Sequence, residues 1–438
     1  MRRRLLIGLL VAAGGCSTGS TATTGDTTLT STPGAVTTST ALEVPPTTIP
    51  DAVPPTGTDL FGRGVAAVSP LTDEMAGGGR GTHEYSQLQA FAPGNTHVLL
   101  AETSAGGYVV KRLADLARMP LDTSAWNAPR WHPVRAGTVV HYDSNEDETV
   151  RAQLTDVASG AVSTVFTFPD RHLRVRVPQS FDELSRDGRW MAGAVSDAGG
   201  GMVIVAVDLE EARLGFERSV ADFYRDDCAP DPEWGEVEPD WVGVSPLGRY
   251  LVVQWVRDGV ERCSGLEAFD LSTGAFAGQV TQHHHHGDLA LDIDGGTELF
   301  VSTELASVED NGRPGLVAYP IPPGPPGPRE IMALDWGDVA HISCQGPPGW
   351  CVITSVGTEG PFSGAVWAVD LQGSTRFLAH HESSSCGYWV QPRASVSADG
   401  SFVVFDTDRA SGGPSSCESS GDELGRGDAW LIAMGSSD

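Results

Sequence analysis

The 438-residue sequence predicts an all-β fold, a seven-bladed β-propeller closed by an N-terminal strand and preceded by a disordered stalk. Three observations predict it. A tight turn built on a glycine recurs seven times, a short apolar strand follows each copy, and the copies are spaced like four-stranded blades with variable loops. The copies are Pro93-Gly94 before His97–Ala101, Gly137 before Thr138–Tyr142, and Asp187-Gly188 before Arg189–Val195. Then come Leu247-Gly248 before Arg249–Val253, Asp294-Gly295 before Thr297–Ser302, Pro348-Gly349 before Trp350–Thr354, and Asp399-Gly400 before Ser401–Phe405. Successive turn glycines lie 43, 51, 60, 47, 54 and 51 residues apart.

Each unit has the same internal order. The glycine turn joins the first two strands, and a further apolar strand then ends in another turn. Examples are Val203–Val207 before Asp208, Leu266–Phe269 before Asp270, and Ala365–Val369 before Asp370. Short strands rich in Val, Phe, Tyr and Trp fit β propensity. Helix-like stretches such as Val109–Ala117 are short. The seventh unit stops at Ala429–Met434, its third strand. A ring has to close, so Gly62–Val68 is expected to supply the missing outer strand.

Ahead of the repeats, residues 17–58 are Thr, Ser, Pro and Gly with almost no large apolar side chains. Such a segment cannot bury enough surface to offset its ordering entropy. The expected organisation is therefore 1–15 signal peptide, 16–58 linker and 59–438 propeller. At the start, Arg2, Arg3 and Arg4 precede the apolar run Leu5–Ala13, then Gly14, Gly15 and Cys16. That run is too short to span a bilayer and reads as an export signal. The order resembles the lipobox of bacterial lipoproteins, although Ala13 stands where that family usually has Leu. The resemblance implies lipidation at Cys16 and an extracytoplasmic protein anchored to the cell envelope. An ordinary signal peptide cut near Ala13–Gly15 is the alternative.

The formal net charge is −29, and removing the signal peptide deletes three arginines and no acid, giving −32. Lys111 is the single lysine. Such a chain is repelled by nucleic acid, which excludes that class of partner. Six cysteines remain beside Cys16, an even set in an exported chain, and read as disulfides. Proximity along the chain suggests Cys228 with Cys263, Cys344 with Cys351, and Cys386 with Cys417; spacing alone leaves the connectivity open. No CxxC spacing is present.

Units such as Val396–Phe405 resemble the repeat of TolB-like and WD40-like propellers, over roughly residues 86–434. That resemblance concerns architecture, which hosts many functions. A more specific one is to oligogalacturonate lyase-like propellers, which hold a divalent metal near the channel through His residues at the starts of late blades and a nearby Gln. Here His283–His286 precede Gly287-Asp288-Leu289, Gln391 precedes the last unit, and His380-His381 lie in the preceding turn. The resemblance implies a divalent metal held by His286 and Gln391, with Asp288 added. Imidazole and a side-chain carbonyl suit a first-row ion. Where that family has two further His ligands after Gln391, this chain has Arg393 and Ser395, and arginine binds no metal.

Other candidates read as structure. Asp292–Gly296 lacks the acid that completes a calcium loop and reads as the blade turn. Asp406, Asp408 and Arg409 read as turn residues. The acidic run from Asp226 to Asp240, with Trp234 and Trp241 interleaved, reads as an exposed loop beside one buried Trp. No nucleophile elbow, Walker loop or GxGxxG appears. The expected function is a monomeric, non-catalytic binding or scaffold propeller for a protein or glycan of the envelope. The alternatives are a metal-assisted polysaccharide lyase or hydrolase with its site at the channel mouth, and an envelope sensor or assembly factor. An enzyme is expected to gather His286, His380 or His381, Gln391 and an acid at one point; a binding module is expected to scatter them.

Overall fold

The computed structural model describes residues 65–72, 81–102, 107–143, 149–175, 184–229, 238–283, 286–304, 314–334, 341–356, 361–384, 390–408 and 427–435. Seven antiparallel sheets follow one another along the chain, six of them four-stranded. In the first blade, strands His97–Ala101 and Tyr108–Arg112 pair, and single bridges extend the sheet. Thr82 to Ala101 and Phe91 to Val98 lie on one side, and Lys111 to Arg118 on the other. The strand after each glycine turn appears within two residues of its predicted bounds at every repeat.

The seven turn glycines explain this regularity. All have positive φ, between 65° and 81°, in the left-handed region that a side chain disfavours. At Gly188 a Cβ would also lie 2.4 Å from the His132 ring of the preceding blade. The motif is thus a backbone requirement repeated once per blade.

The apolar residues between these turns form seven buried clusters among the described residues, one for each seam between neighbouring blades. In the fourth blade, Leu251 and Val253 pack toward the third blade while Val252 packs toward the fifth. Both faces of a middle strand are therefore buried, which gives continuous apolar runs instead of an alternating pattern. Trp131, Trp255 and Trp367 sit almost fully buried in three of these seams. Burying a side chain of that size is worth roughly 2–3 kcal/mol.

The ring closes as expected. Val65–Pro70 pairs antiparallel with Asp428–Met434 as the outermost strand of the last blade. Two disulfides are formed, Cys228–Cys263 and Cys344–Cys351, the latter across the turn of the sixth blade. Cys16, Cys386 and Cys417 lie outside the described residues. One local reading is corrected. Val109–Ala117 begins in the strand Tyr108–Arg112 and then turns, because Val109 and Val110 are drawn into two different seams. The α-helix among the described residues is Val220–Asp226, capped by the Ser219 side chain, which accepts from the Asp222 N–H.

Candidate site at the central channel

In this architecture the first strand of every blade lines the central channel. Polar residues there are buried within the ring, and Asp288, Ser343, Arg393 and Ser395 are essentially inaccessible. Such groups need internal partners. Much of the partnership comes from one segment of the first blade, Thr82–Gln89, which reaches blades five, six and seven. The Gln87 amide donates to Gly287 O of blade five. Gln89 donates to Gln345 O of blade six at 3.3 Å and to Val396 O of blade seven at 3.1 Å. Arg393 and Ser395 of blade seven donate to Glu84 O and Leu88 O, both at 2.6 Å. Arg186 of blade three donates to Cys344 O and Gly346 O of blade six, on either side of the Gln345 carbonyl that Gln89 reaches.

Against this plug lies an aromatic and amide group. The rings of His286 and His341 stack with centroids 5.6 Å apart and planes 23° apart. His341 Nε2 is 3.0 Å from Gln391 Oε1, and the Tyr85 ring meets His341 edge-on at 5.2 Å. His286 and Gln391, the two residues singled out in the sequence, are thus brought to one place by His341, which sequence reading missed. The signal was present. His341 begins the first strand of blade six as His286 immediately precedes that of blade five. Aligning the blade starts finds it.

The remaining candidates go elsewhere. The Asp288 carboxylate turns to blade six, accepting from the Cys344 N–H and from Gln345 Nε2 at 3.3 Å. His381 Nε2 is 2.9 Å from Ser355 O, and His380 packs edge-on against Phe377 at the outer strand of blade six. Asp294 accepts the Gly296 and Thr297 N–H groups, as a blade turn requires. Asp408 accepts the Ser384 N–H, while Arg409 lies outside the described residues. Trp241 is buried, and Asp227 pairs with Arg218 at 2.5 Å.

Beside the imidazoles sits a buried ion pair. Arg393 Nη2 is 3.3 Å from Asp406 Oδ2, and both side chains are 0% exposed. Asp406 Oδ1 also accepts the His83 N–H at 2.7 Å. Burial pushes the Asp406 carboxyl up to about 7, against the pull of Arg393 and the His83 amide. Burial, and then the Arg393 charge, push His83 down to about 3. His341 is held well below its ordinary value by burial first, then by His286 and Arg393. The His83 and His341 rings are therefore neutral near pH 7. His83 Nε2, His341 Nδ1 and Gln87 Oε1 are buried with no hydrogen-bond partner.

This donor set does not fit a divalent metal. His341 and Gln391 are neutral donors bonded to each other, and the carboxylates Asp406 and Asp288 are committed to other groups. A guanidinium acts on His341 from within the same buried region. Among the described residues, no group of three or more His, Cys, Asp or Glu side chains is arranged to hold a metal.

No family model matches the chain, and comparison with the curated proteins finds no match. Solved structures do match. One is an oligogalacturonate lyase in complex with manganese, 12% identical over 85% of this chain and 96% of that one, with a TM-score of 0.57. Another is the oligogalacturonate lyase of Vibrio parahaemolyticus, 10% identical over 84% and 93%, with a TM-score of 0.55. The fold is a β-propeller. At such identity the likeness extends to the propeller's architecture alone. TolB from Acinetobacter baumannii aligns at 15% identity over 68% of this chain and 63% of that one, with a TM-score of 0.35 that adds nothing to the argument.

Proposed function

We propose that this chain is a lipid-anchored protein of the cell envelope whose propeller binds a protein or glycan without catalysing a reaction. The observation that carries the non-catalytic reading is the plug. Thr82–Gln89 and the Arg393–Asp406 pair engage many of the channel's polar groups in internal bonds. An active site instead keeps such groups aimed at a reacting molecule. Binding then falls to the loops at the rim of the propeller, and the net charge of −29 turns nucleic acid away. Two disulfides suit an oxidising compartment. Among the described residues no helix is long and apolar enough to cross a membrane, so Cys16 is the expected attachment. The alternative is a metal-assisted lyase or hydrolase. It is favoured by the convergence of His286, His341 and Gln391, with Asp288 on the adjoining strand, and by the likeness to a lyase solved with manganese.

One experiment separates the two. The mature protein is titrated calorimetrically with envelope glycan fragments and with oligogalacturonate, with and without Mn²⁺, while ultraviolet absorbance follows unsaturated product. Saturable glycan or protein binding without turnover is expected. Product formation that requires Mn²⁺ and disappears in His286→Ala overturns the binding reading. The anchor is tested separately: Cys16→Ser is expected to abolish labelled-lipid incorporation and membrane retention.

A further inference from the structure

We propose that the Cys344–Cys351 disulfide is a redox latch that fixes the hairpin tip of blade six, and that a dithiol opens it reversibly without opening the ring. The proposal does not depend on what the rim of the propeller binds. Three observations point to it. First, the tip is a junction. It connects the strands His341–Ser343 and Trp350–Thr354. Cys344 O and Gly346 O accept from Arg186 of blade three at 2.7 and 3.0 Å. Gln345 O accepts from Gln89 of blade one at 3.3 Å. The Cys344 N–H and Gln345 Nε2 both donate to Asp288 of blade five. At Gly346 a Cβ would lie 2.9 Å from Val396 of blade seven, so the bare backbone packs on that blade. Blades one and three are not neighbours of blade six, so their side chains reach the tip from across the ring.

Second, the covalent bond sits at the root of this tip. Ser343 pairs with Val352, which puts Cys344 directly opposite Cys351. The pairs Ile342 with Ile353 and His341 with Thr354 hold without the sulfurs, and Cys351 also pairs with Val369 on the next strand. Opened thiols therefore stay facing each other, ready to close again. What is lost is the clamp beside Cys344, Gln345 and Gly346, the residues that carry the bonds to the other blades.

Third, the latch and the tip are coupled through access. Both cysteines are 1% exposed, while Gln345, Pro347, Pro348 and Trp350 around them are partly exposed. A reductant reaches the sulfurs when the tip lifts, so loosening the tip speeds reduction, and reduction loosens the tip. The bond spans a sequence separation of 7, against 35 for Cys228–Cys263, so opening it releases the smaller chain entropy. The chemistry is thiol–disulfide exchange. A thiolate of the dithiol attacks one sulfur, its second thiol resolves the mixed disulfide, and the dithiol leaves as a disulfide while Cys344 and Cys351 take up two electrons and two protons.

The test treats the mature protein with dithiothreitol under native conditions. Alkylation with peptide mass spectrometry times the opening of each bond, and hydrogen exchange follows residues 82–89 and 344–349. Cys344 and Cys351 are expected to be alkylated before Cys228 and Cys263, with the circular dichroism spectrum retained. Exchange is expected to rise about tenfold in both segments and to return once the dithiol is removed and the bond re-forms. Arg186→Ala, which removes two bonds to the tip, is expected to speed reduction of Cys344–Cys351 at least about threefold and to leave Cys228–Cys263 unchanged. Cys344→Ser/Cys351→Ser is expected to show the raised exchange without reductant; should it fail to fold, the reduced wild type carries the test. A Cys344–Cys351 bond that resists the dithiol until the protein unfolds overturns the proposal. Reduction that leaves exchange unchanged in either segment, or that unfolds the ring, overturns it too.

Discussion

Replacing either member of the Arg393–Asp406 pair is expected to have unequal consequences, and the inequality is expected to depend on pH. Asp406→Asn leaves a wholly buried guanidinium without its counter-charge. Removing one partner of a buried pair costs about 3–5 kcal/mol, and arginine has no neutral form to fall back on. Arg393→Met leaves a buried carboxyl, which can be neutralised by a proton. Asp406 already sits at about 7 with the guanidinium beside it, and rises further without it. A carboxyl whose folded pKa is raised stabilises the fold below its unfolded value near 3.8. That contribution is lost as pH rises through the folded value. Each pH unit in that window is worth about 1.4 kcal/mol, so between pH 8 and pH 5 Arg393→Met is expected to recover up to about 4 kcal/mol relative to Asp406→Asn. Other titrating groups are largely common to both variants and drop out of the difference. Burial still holds His83 and His341 low, but loss of Arg393 removes one further charge that opposes their protonation, which acts in the same direction. Melting temperature by circular dichroism at pH 8 and pH 5 reads the comparison. If Asp406→Asn is as stable as Arg393→Met at pH 5, the account of this cluster as a buried charge pair is refuted.

The wild type is expected to lose stability in acid. Burial holds His83 at about 3 and His132 and His141 at about 4, so these rings fold neutral, and their contribution is full above pH 6.5 and lost as pH falls toward 4. With His341, held low in the same way, these imidazoles outweigh the opposing Asp406, so the melting temperature is expected to fall between pH 6.5 and pH 4; a melting temperature that rises over that fall in pH contradicts this. Deleting residues 1–58 is expected to leave thermal unfolding unchanged. Deleting residues 1–70, which removes the closing strand Val65–Pro70, is expected to lower the midpoint sharply and blur the transition in a scanning calorimeter. Opening Cys228–Cys263, whose sequence separation is 35, is expected to cost about 4 kcal/mol in the chain-entropy account. Opening Cys344–Cys351, with a separation of 7, is expected to cost about 2 kcal/mol. Paired Cys→Ser variants compared by denaturant midpoint test that order.

Much of the fold was legible because its determinants are local. Gly94, Gly137, Gly188, Gly248, Gly295, Gly349 and Gly400 share one backbone demand, a left-handed φ, met within a few residues of each turn. Two cysteine pairs suggested by proximity along the chain formed as disulfides. The closing strand followed from counting, since a last unit with three strands leaves one edge open.

The site was legible only in fragments. His286 and Gln391 were visible as residues at blade starts, but their junction, His341, lies about fifty residues from each. The neighbours of Asp288 and Arg393 were not visible at all. Asp288 points across a seam to Cys344, 56 residues on, and Asp406 meets the His83 amide at a separation of 323. No periodic pattern encodes such pairings, because strand spacing says which face a side chain occupies and not what the opposite blade presents. The sequence by itself therefore determined the repeating blade, its turn and the need to close the ring. The tertiary structure alone decided that the channel is plugged by Thr82–Gln89 and carries a buried cation. Those features exist only once closure brings the first blade against the last.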